Sequence, residues 1–148
     1  CGPSRTCSTD VAADADLRAR RVARILALLD AENRQDLEAL VDVFPEPRYE
    51  LIGTHKVYDG VEAVRGWLKE RSAAFPDYRY ELVGHHHADD AVIAEVWVMG
   101  THLGPIENIA PSGKGFRCRM AVFFLFSGER LTCFRIYFDN ATIARQLA

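Results

Sequence analysis

Two apolar stretches near the end of the chain, GFRCRMAVFFLF (115–126) and LTCFRIYF (131–138), decide the fold. Both are rich in β-branched and aromatic residues, and the short link SGER joins them, which predicts a β-hairpin from Phe116 to Phe138. Because side chains alternate between the faces of a strand, each strand separates into an apolar set and a set that carries Arg or Tyr. A three-residue loop places the two apolar sets together, whereas a two-residue loop mixes them, so the first register is favoured.

The reverse face of this hairpin carries arginine and tyrosine side chains around Phe123 and Leu125. Such a surface is too apolar to stay fully hydrated and too charged to form a core, and Arg and Tyr are enriched at protein interfaces. We therefore expect a homodimer that packs through this face of the sheet. The charged and tyrosine residues of the face are Arg117, Arg119, Arg135 and Tyr137.

The rest of the chain predicts helices first and strands afterwards. Apolar residues at helical spacing predict one helix that begins at Asp14 or Asp16, a second that follows Asp36, and a third over Val61–Ala74. This order is typical of an α+β domain in which N-terminal helices pack on the concave face of a curved, mainly antiparallel sheet, an α+β barrel or cone. The other predicted strands are Arg48–Gly53, Tyr78–Val83 and Ala91–His102, with the turn GHHHADD (84–90) before the last of them.

Length and composition narrow the range of functions. The 148 residues suffice for one domain, and we expect residues 1–13 to be a disordered leader and residues 14–148 a single domain. A net charge of −3 argues against a nucleic-acid partner, and no apolar run is long enough to span a membrane. The four cysteines show neither a disulfide framework nor a zinc spacing, so we expect a cytoplasmic protein without a metal or cofactor. A first residue Cys1 is also typical of a mature bacterial lipoprotein, which is the less favoured alternative.

Motifs spread along the chain carry a family resemblance. From about Val22 to Leu147 the sequence resembles the SnoaL-like polyketide cyclase group of the nuclear-transport-factor-two-like cone fold. The resemblance implies a deep pocket between helices and sheet, and acid/base chemistry on small apolar molecules of secondary metabolism, such as antibiotic precursors. The motifs, in chain order, are DLEAL, YDGVEAV, FPDYRYE, VMGTHLG, APSGKGF and the ending YFDN-x5-QL.

The residue sets of known relatives are not intact in this chain. In anthracycline-type cyclases the acid/base carboxylate lies on the last strand, three residues before the Asp of the Y-F-D motif, and Ile136 occupies that position here. Two further polar positions of those cyclases correspond to Met120 and Val122. Limonene epoxide hydrolases share the motif R-x-Y-F-D, but the residues at their Arg-x-Asp pair are Glu95 and Trp97. The resemblance therefore predicts the fold but not a copied mechanism.

Three residues remain candidates for catalysis. Glu95 lies in an otherwise apolar strand and shares its face with Trp97 and Met99, where burial would favour the neutral acid and permit proton transfer. Alternatively, it points to water or pairs with an Arg of the next strand. His102 ends the strand near the expected pocket mouth, where it either polarises a substrate oxygen or is a structural residue. Asp139 precedes a short helical stretch, so N-capping is favoured over catalysis.

Aromatic and apolar residues could line the pocket or fill the core. Three consecutive histidines, 85–87, beside two aspartates are more typical of a hydrated turn than of a metal site, because successive side chains diverge. The candidate substrate-binding residues are Tyr49, Tyr58, Trp67, Trp97, Met99, Met120, Val122, Ile136 and Phe138.

These observations favour a cofactor-independent cyclase or isomerase that binds a polyketide-like or other hydrophobic metabolite in a central cavity. Catalysis would come mainly from holding the substrate in reactive geometry, with limited acid/base help. The alternative is a non-catalytic small-molecule-binding or interaction domain of the same fold. An inward-facing Glu95 would favour the enzyme, and a cavity without an inward ionisable group would favour the binding domain.

Overall fold

The computed structural model describes residues 6–148, with side chains from residue 11 onward. None of the helices in this part of the chain combines the length and apolar character that a membrane span requires. A short 3-10 turn, Ile52–Thr54, follows the first strand. In chain order the elements are α1 (Thr6–Asn33), α2 (Leu37–Val43), β1 (Arg48–Leu51), β2 (Lys56–Asp59), α3 (Val61–Ala74), β3 (Arg79–His87), β4 (Ala91–Thr101), β5 (Gly115–Ser127), β6 (Arg130–Tyr137) and α4 (Asn140–Leu147).

The six strands form one sheet in the order β2-β1-β6-β5-β4-β3. Strand β1 runs parallel to β6, whereas all other neighbouring strands are antiparallel. The predicted α+β class with a mainly antiparallel sheet is therefore confirmed. The β4–β5–β6 meander forms the centre of the sheet; β1 and β2 extend it on one side and β3 on the other.

The β5–β6 hairpin has the predicted pairing of faces, but it reaches this pairing by another route. Val122 lies opposite Ile136, so the two apolar sets share a face as expected. The loop itself has two residues, because Ser127 pairs with Arg130, and this turn alone would have mixed the sets. A register shift next to the turn leaves Thr132 without a partner in the ladder and restores the segregation. The predicted three-residue loop is therefore corrected to a two-residue loop with a β-bulge.

The sheet has two chemically different faces. We call the face that packs against the helices the inner face; in β4 it carries Val92, Ala94, Val96 and Val98, all fully or almost fully buried. The opposite, outer face alternates with it and includes Ile93, Glu95, Trp97 and Met99. Inward-facing apolar residues of α1 and α3 cover the inner face and complete the core, among them Ile25, Leu28, Leu29 and Val64.

Helix α1 is longer than the sequence predicted. It begins at Thr6, so residues 6–13 of the expected leader are helical, while residues 1–5 lie outside the described residues. Asp14 and Asp16 are not N-caps; they form i,i+4 ion pairs with Arg18 and Arg20, at 3.3 and 3.1 Å. These pairs and the alanine-rich sequence stabilise the first part of this helix, in which residues 11–16 are all exposed.

Two segments assigned to connections are strands. The segment around Tyr58, which lies outside the predicted strands, is β2; it pairs with β1 and places Tyr58 opposite Tyr49. The three histidines belong to β3 and pair with β4, so the turn is shorter than GHHHADD. A register shift between Leu82 and Gly84 lets this polar strand continue past the glycine. The histidine run lacked the hydrophobic alternation that marks a strand, because its pairing depends on β4 rather than on its own composition.

Candidate functional site

A buried ion pair joins two helices beneath the inner face of the sheet. Glu32 of α1 and Arg71 of α3 are only 1% and 8% exposed, and Arg71 Nη2 lies 2.8 Å from Glu32 Oε2. Both residues continue the apolar stripes of their helices: Glu32 follows Leu28 by one turn, and Arg71 follows Trp67 by one turn. The helical periodicity therefore directs both charges into the interior. There, the ion pair between them offsets the cost of removing each charge from water.

Tyrosine hydroxyl groups complete this cluster. Tyr49 donates a hydrogen bond of 2.5 Å to Glu32 Oε1, and Arg71 Nη1 donates to the Tyr80 hydroxyl at 3.4 Å. The guanidinium of Arg71 also lies over the Tyr78 ring, 4.1 Å from its centroid. Strands and helices from both halves of the chain thus converge on one polar cluster inside an otherwise apolar core. We call Glu32, Arg71, Tyr49 and Tyr80 the buried polar cluster.

The end of α1 is fixed to the sheet beside this cluster. The Asn33 side chain donates to the backbone carbonyl of Tyr80 and accepts from its backbone N–H, at 3.0 and 2.8 Å. The side-chain amide therefore occupies the place of a further strand along this part of β3. This double hydrogen bond fixes the end of α1 against β3, and with it the position of the neighbouring Glu32.

The electrostatics of the cluster determine what its members can do. Burial, followed by the neighbouring Glu32 carboxylate, raises the pKa of Tyr49 and of Tyr80 well above the ordinary phenol value. Burial lowers the pKa of Arg71, but the coulombic effect of Glu32 and the tyrosines outweighs it, so that the net shift is upward. At neutral pH the phenols are therefore hydrogen-bond donors, and Arg71 is a permanent cation.

Not every polar atom of the cluster has a partner. The Nε–H of Arg71 makes no hydrogen bond within the described part of the chain. A cleft of about 300 Å³ between α1, α2 and α3 reaches the ion pair. We call it the helical cleft; its lining includes Glu32, Asp36, Arg65, Lys69, Arg71 and Ser72.

The candidate Glu95 lies on the other side of the sheet. Its side chain is 50% exposed and forms an ion pair with Arg119 Nη2 at 2.8 Å, which is the alternative that the sequence left open. Trp97 and Met99 share this outer face, and the Arg117 guanidinium lies 3.6 Å from the Trp97 ring centroid. The inward placement of Glu95, Trp97 and Met99 is therefore corrected. The register explains it, because Glu95 pairs with Ala121 of the arginine-bearing face rather than with Val122.

Most of the other candidates lie inside, although not as one polar site. Tyr49 is fully buried, and the half-buried Trp67 lies between it and Tyr58, with ring centroids 5.0 and 5.1 Å apart. These three rings form one wall beside the buried polar cluster. Four further candidates contribute apolar surface to the core, three of them buried and the last one partly buried: Met120, Val122, Ile136 and Phe138.

The remaining two catalytic candidates are widely different in environment. His102 is 1% exposed, and its ring packs against Phe75 with centroids 5.5 Å apart. Asp139 is exposed and caps α4, accepting hydrogen bonds from the backbone N–H groups of Ala141 and Thr142 at 3.0 and 3.3 Å. The Thr142 hydroxyl hydrogen bond is the main cause of its lowered pKa. The cap explains Asp139 fully.

Sequence reasoning missed the two charges of the buried polar cluster. Neither Glu32 nor Arg71 is among the site residues that the sequence predicted. The signal was present, because each residue occupies the inward position of an amphipathic helix and the two charges are opposite. Among the described residues there is no group of three or more His, Cys, Asp or Glu side chains that could hold a metal ion.

Comparison with known families identifies the fold and its lineage. Residues 21–147 match the profile of a family described as SnoaL-like polyketide cyclase. The chain belongs to this family. The match begins in α1 and ends in α4, so it includes both helices of the ion pair and the whole sheet. A search of curated proteins found no match.

Solved structures similar to this SnoaL-like chain share its architecture over nearly the whole domain. TsrD from Streptomyces laurentii is 24% identical, with a TM-score of 0.75 over 88% of this chain and 96% of that protein. IdmH from Streptomyces antibioticus, a proposed polyketide cyclase, is 25% identical, with a TM-score of 0.72 over 86% and 97%. A SnoaL-like protein from Jannaschia sp. is 18% identical, with a TM-score of 0.74 over 87% and 92%.

Proposed function

We propose that this SnoaL-like protein is a cofactor-independent cyclase or isomerase that acts on a polyketide-like or other hydrophobic metabolite. The observation that carries the proposal is the buried Glu32–Arg71 pair, which lines the helical cleft and is surrounded by aromatic rings. A desolvated ion pair is costly to maintain, and its polar atoms reach a cleft rather than ending in a closed core. The family and the similarity to IdmH support the polyketide class.

The buried polar cluster suits a ring closure between two ketones. Such a closure moves a proton from the carbon beside one ketone to a base and forms a carbon–carbon bond to the second ketone. The oxygen of that second ketone becomes negative and then takes a proton. Arg71, which lines the helical cleft, is a donor that can stabilise the developing negative charge, and the low-dielectric surroundings strengthen this effect.

Proton abstraction by a base contributes less to the rate in this proposal. Glu32 is the carboxylate of the cluster, but Tyr49 and Arg71 already hydrogen-bond or pair with its two oxygens, which weakens it as a proton acceptor. Most of the acceleration would therefore come from folding a flexible chain into one reactive geometry against the apolar lining of the helical cleft, which includes Leu37, Leu40 and Leu68. Glu32 then serves first to orient Arg71 and second to accept a proton.

Single-turnover kinetics on a linear poly-β-ketone thioester would test the proposal. Arg71→Lys keeps the positive charge beside Glu32 but removes the forked donor, and we expect ring closure to slow on the order of 100-fold. Arg65→Lys is the matched control, because Arg65 lines the same cleft but is exposed and forms an ion pair with Glu62 at 3.5 Å. Equal rates for the two variants, or no conversion by the native protein, would contradict the proposal.

A non-catalytic binding domain of the same fold is the second candidate. It is favoured by the raised phenol pKa values and by the mutual neutralisation of Glu32 and Arg71, since such groups hold ligand atoms better than they exchange protons. Under this alternative the native protein would bind the thioester without converting it. Arg71→Lys would then weaken binding, while Arg65→Lys would leave it unchanged.

We also propose that the protein is a homodimer that packs through the outer face. Trp97 lies near the centre of this face, with the Arg117 guanidinium over its ring. Tyr137, on the same face, is 42% exposed. Sedimentation equilibrium at micromolar concentration should give the dimer mass, and Trp97→Glu should give the monomer mass because it buries a charge in the interface. A monomer mass for the native protein would refute this assembly.

A further inference from the structure

The wall that α3 contributes to the helical cleft carries positive charge. Arg65, Leu68, Lys69 and Ser72 all line the cleft, and their spacing places them on one face of the helix. Leu68 is partly buried, whereas Arg65 and Lys69 are exposed. The two cations therefore lie at the rim of the cleft, one helical turn apart, beside an apolar surface.

The acidic side chains of the cleft are neutralised by other residues. Glu32 forms its ion pair with Arg71 at 2.8 Å. One carboxylate oxygen of Asp36 accepts from Arg34 Nη1 at 3.1 Å, and the other accepts from the backbone N–H of Ala39 at 3.0 Å. Both carboxylates are therefore engaged elsewhere and do not balance the cations of the rim.

Of the two rim cations, Lys69 is the one without a counter-ion. Arg65 lies 3.5 Å from Glu62, which precedes it by three residues on α3. Lys69, by contrast, forms neither an ion pair nor a side-chain hydrogen bond with any residue in the range that the structure describes. A cleft with an excess of one sign of charge attracts ions of the opposite sign. A single uncompensated charge corresponds to a monoanion.

The rest of the cleft indicates an apolar ligand body. Leu37 and Leu40 of α2 line the cleft together with Leu68, so that leucine side chains from two helices form its interior. A concave site with an apolar lining and a few polar groups at fixed positions is typical of small-molecule binding. With a volume of about 300 Å³, the cleft suits a short chain or a single ring system rather than a large molecule.

We propose that Lys69 is a specificity-determining residue that binds the carboxylate of an amphipathic monocarboxylic acid, whose apolar body lies in the helical cleft. The inference rests on the proposed function because it concerns the same cleft, and it adds a feature of the ligand that ring closure does not itself require. The ammonium group of Lys69 calls for one negative charge at the rim. The leucine lining calls for a body without polar atoms.

Isothermal titration calorimetry at neutral pH would compare octanoate with 1-octanol, which has the same carbon chain without the charge. We expect the native protein to bind octanoate about tenfold more tightly, because a charge-assisted hydrogen bond adds to the same apolar contact. Lys69→Gln should remove this preference and Lys69→Arg should keep it. Lys56→Gln is the matched control and should also keep it, because Lys56 is outside the cleft lining and pairs with Glu107 at 2.8 Å.

The outcomes separate this inference from the proposed function. Equal affinities of the native protein for the two probes, binding of neither probe, or a preference that survives in Lys69→Gln would overturn the inference. The proposed function would not fail with it, because conversion of the thioester is measured separately. Conversely, a Lys69-dependent preference for octanoate in a protein that does not convert the thioester would support the inference and contradict the proposed ring closure.

Methyl NMR of leucine-labelled native protein would locate the bound chain without any substitution. We expect the methyl signals of Leu37, Leu40 and Leu68 to shift when octanoate is added, because these side chains line the cleft. Signals of these three residues that stay unchanged at saturating octanoate would place the ligand elsewhere and overturn the inference.

Discussion

Replacing Glu32 by glutamine should destabilise the protein more than any exposed charge substitution. The change removes the negative charge but leaves the guanidinium of Arg71, a residue only 8% exposed, without its counter-ion Glu32. The amide oxygen of the new side chain would still accept from Tyr49, so the loss isolates the charge rather than the hydrogen bond. Breaking one partner of a buried pair costs about 3–5 kcal/mol, which is a large part of the stability of an ordinary domain.

Urea denaturation at neutral pH would measure this loss as a decrease in the free energy of unfolding. Glu95→Gln is the matched control, because its ion pair with Arg119 has the same 2.8 Å distance but side chains that are 50% and 45% exposed. We expect the control to cost about 0–1 kcal/mol. The double variant Glu32→Leu/Arg71→Met should recover much of the stability, since it removes both charges together.

The reasoning would be refuted if Glu32→Gln and Glu95→Gln cost equal amounts. That result would mean that water reaches Arg71 and solvates it as well as it solvates Arg119. It would also remove the basis for treating the buried polar cluster as a desolvated site. If the double variant were less stable than Glu32→Gln alone, the attraction within the ion pair would contribute more to the free energy of unfolding than the burial of the two charges costs.

Three further predictions concern hydrogen bonding, packing and pH. Tyr49→Phe should lower the unfolding free energy by about 1–3 kcal/mol in urea titrations, because it deletes the donor to Glu32, and Tyr58→Phe should change it little. Gly104→Ala should cost about 1–3 kcal/mol or more, since its Cβ would lie 2.0 Å from the Ala73 carbonyl oxygen; Gly66→Ala, with open space around it, should stabilise α3 by about 0.5–1 kcal/mol in the same assay. The hydrogen bond from Arg135 lowers the pKa of the Glu50 carboxyl below its ordinary value of 4.5. The stability that the ionised Glu50 contributes is therefore complete above the ordinary pKa, and it is lost as the pH falls through the lower pKa of the folded state. Stability measured between about pH 6 and about pH 3 should therefore fall less steeply in Glu50→Gln, and equal slopes would contradict the assignment.

The fold was predictable because its strongest signals are local. Alternation in the two strands of the hairpin defined a face for each residue, and beyond the bulge next to the turn the same parity is found in the structure, with Val122 opposite Ile136. The face of β4 was less certain, since Ile93, Trp97 and Met99 are as apolar as the set that is buried. Pairing with β5 decides it, because the arginines of β5 can accept Glu95 only on the outer face.

The candidate site was less predictable because it depends on contacts between residues far apart in the sequence. Glu32 and Arg71 come from different helices, and neither helix alone indicates that its inward charge has a partner. A lone inward charge in a helical pattern is ordinarily explained as a helix end or an exposed position. Tyr49 adds a third element, and its aromatic side chain is equally typical of core packing. Only the packing of α1 and α3 on one sheet brings the three together.

Under the proposed function, the buried polar cluster also changes which elements would control the chemistry. The sheet positions that correspond to the catalytic and polar residues of anthracycline-type cyclases carry Ile136, Val122 and Met120, all buried and apolar. The charged groups come instead from α1 and α3, whose separation is set by helix packing and by the Asn33 amide on β3. A substitution in the sheet core should therefore alter the shape of the site. A change at the helix contacts should alter the Glu32–Arg71 distance, and with it any polarisation of the substrate.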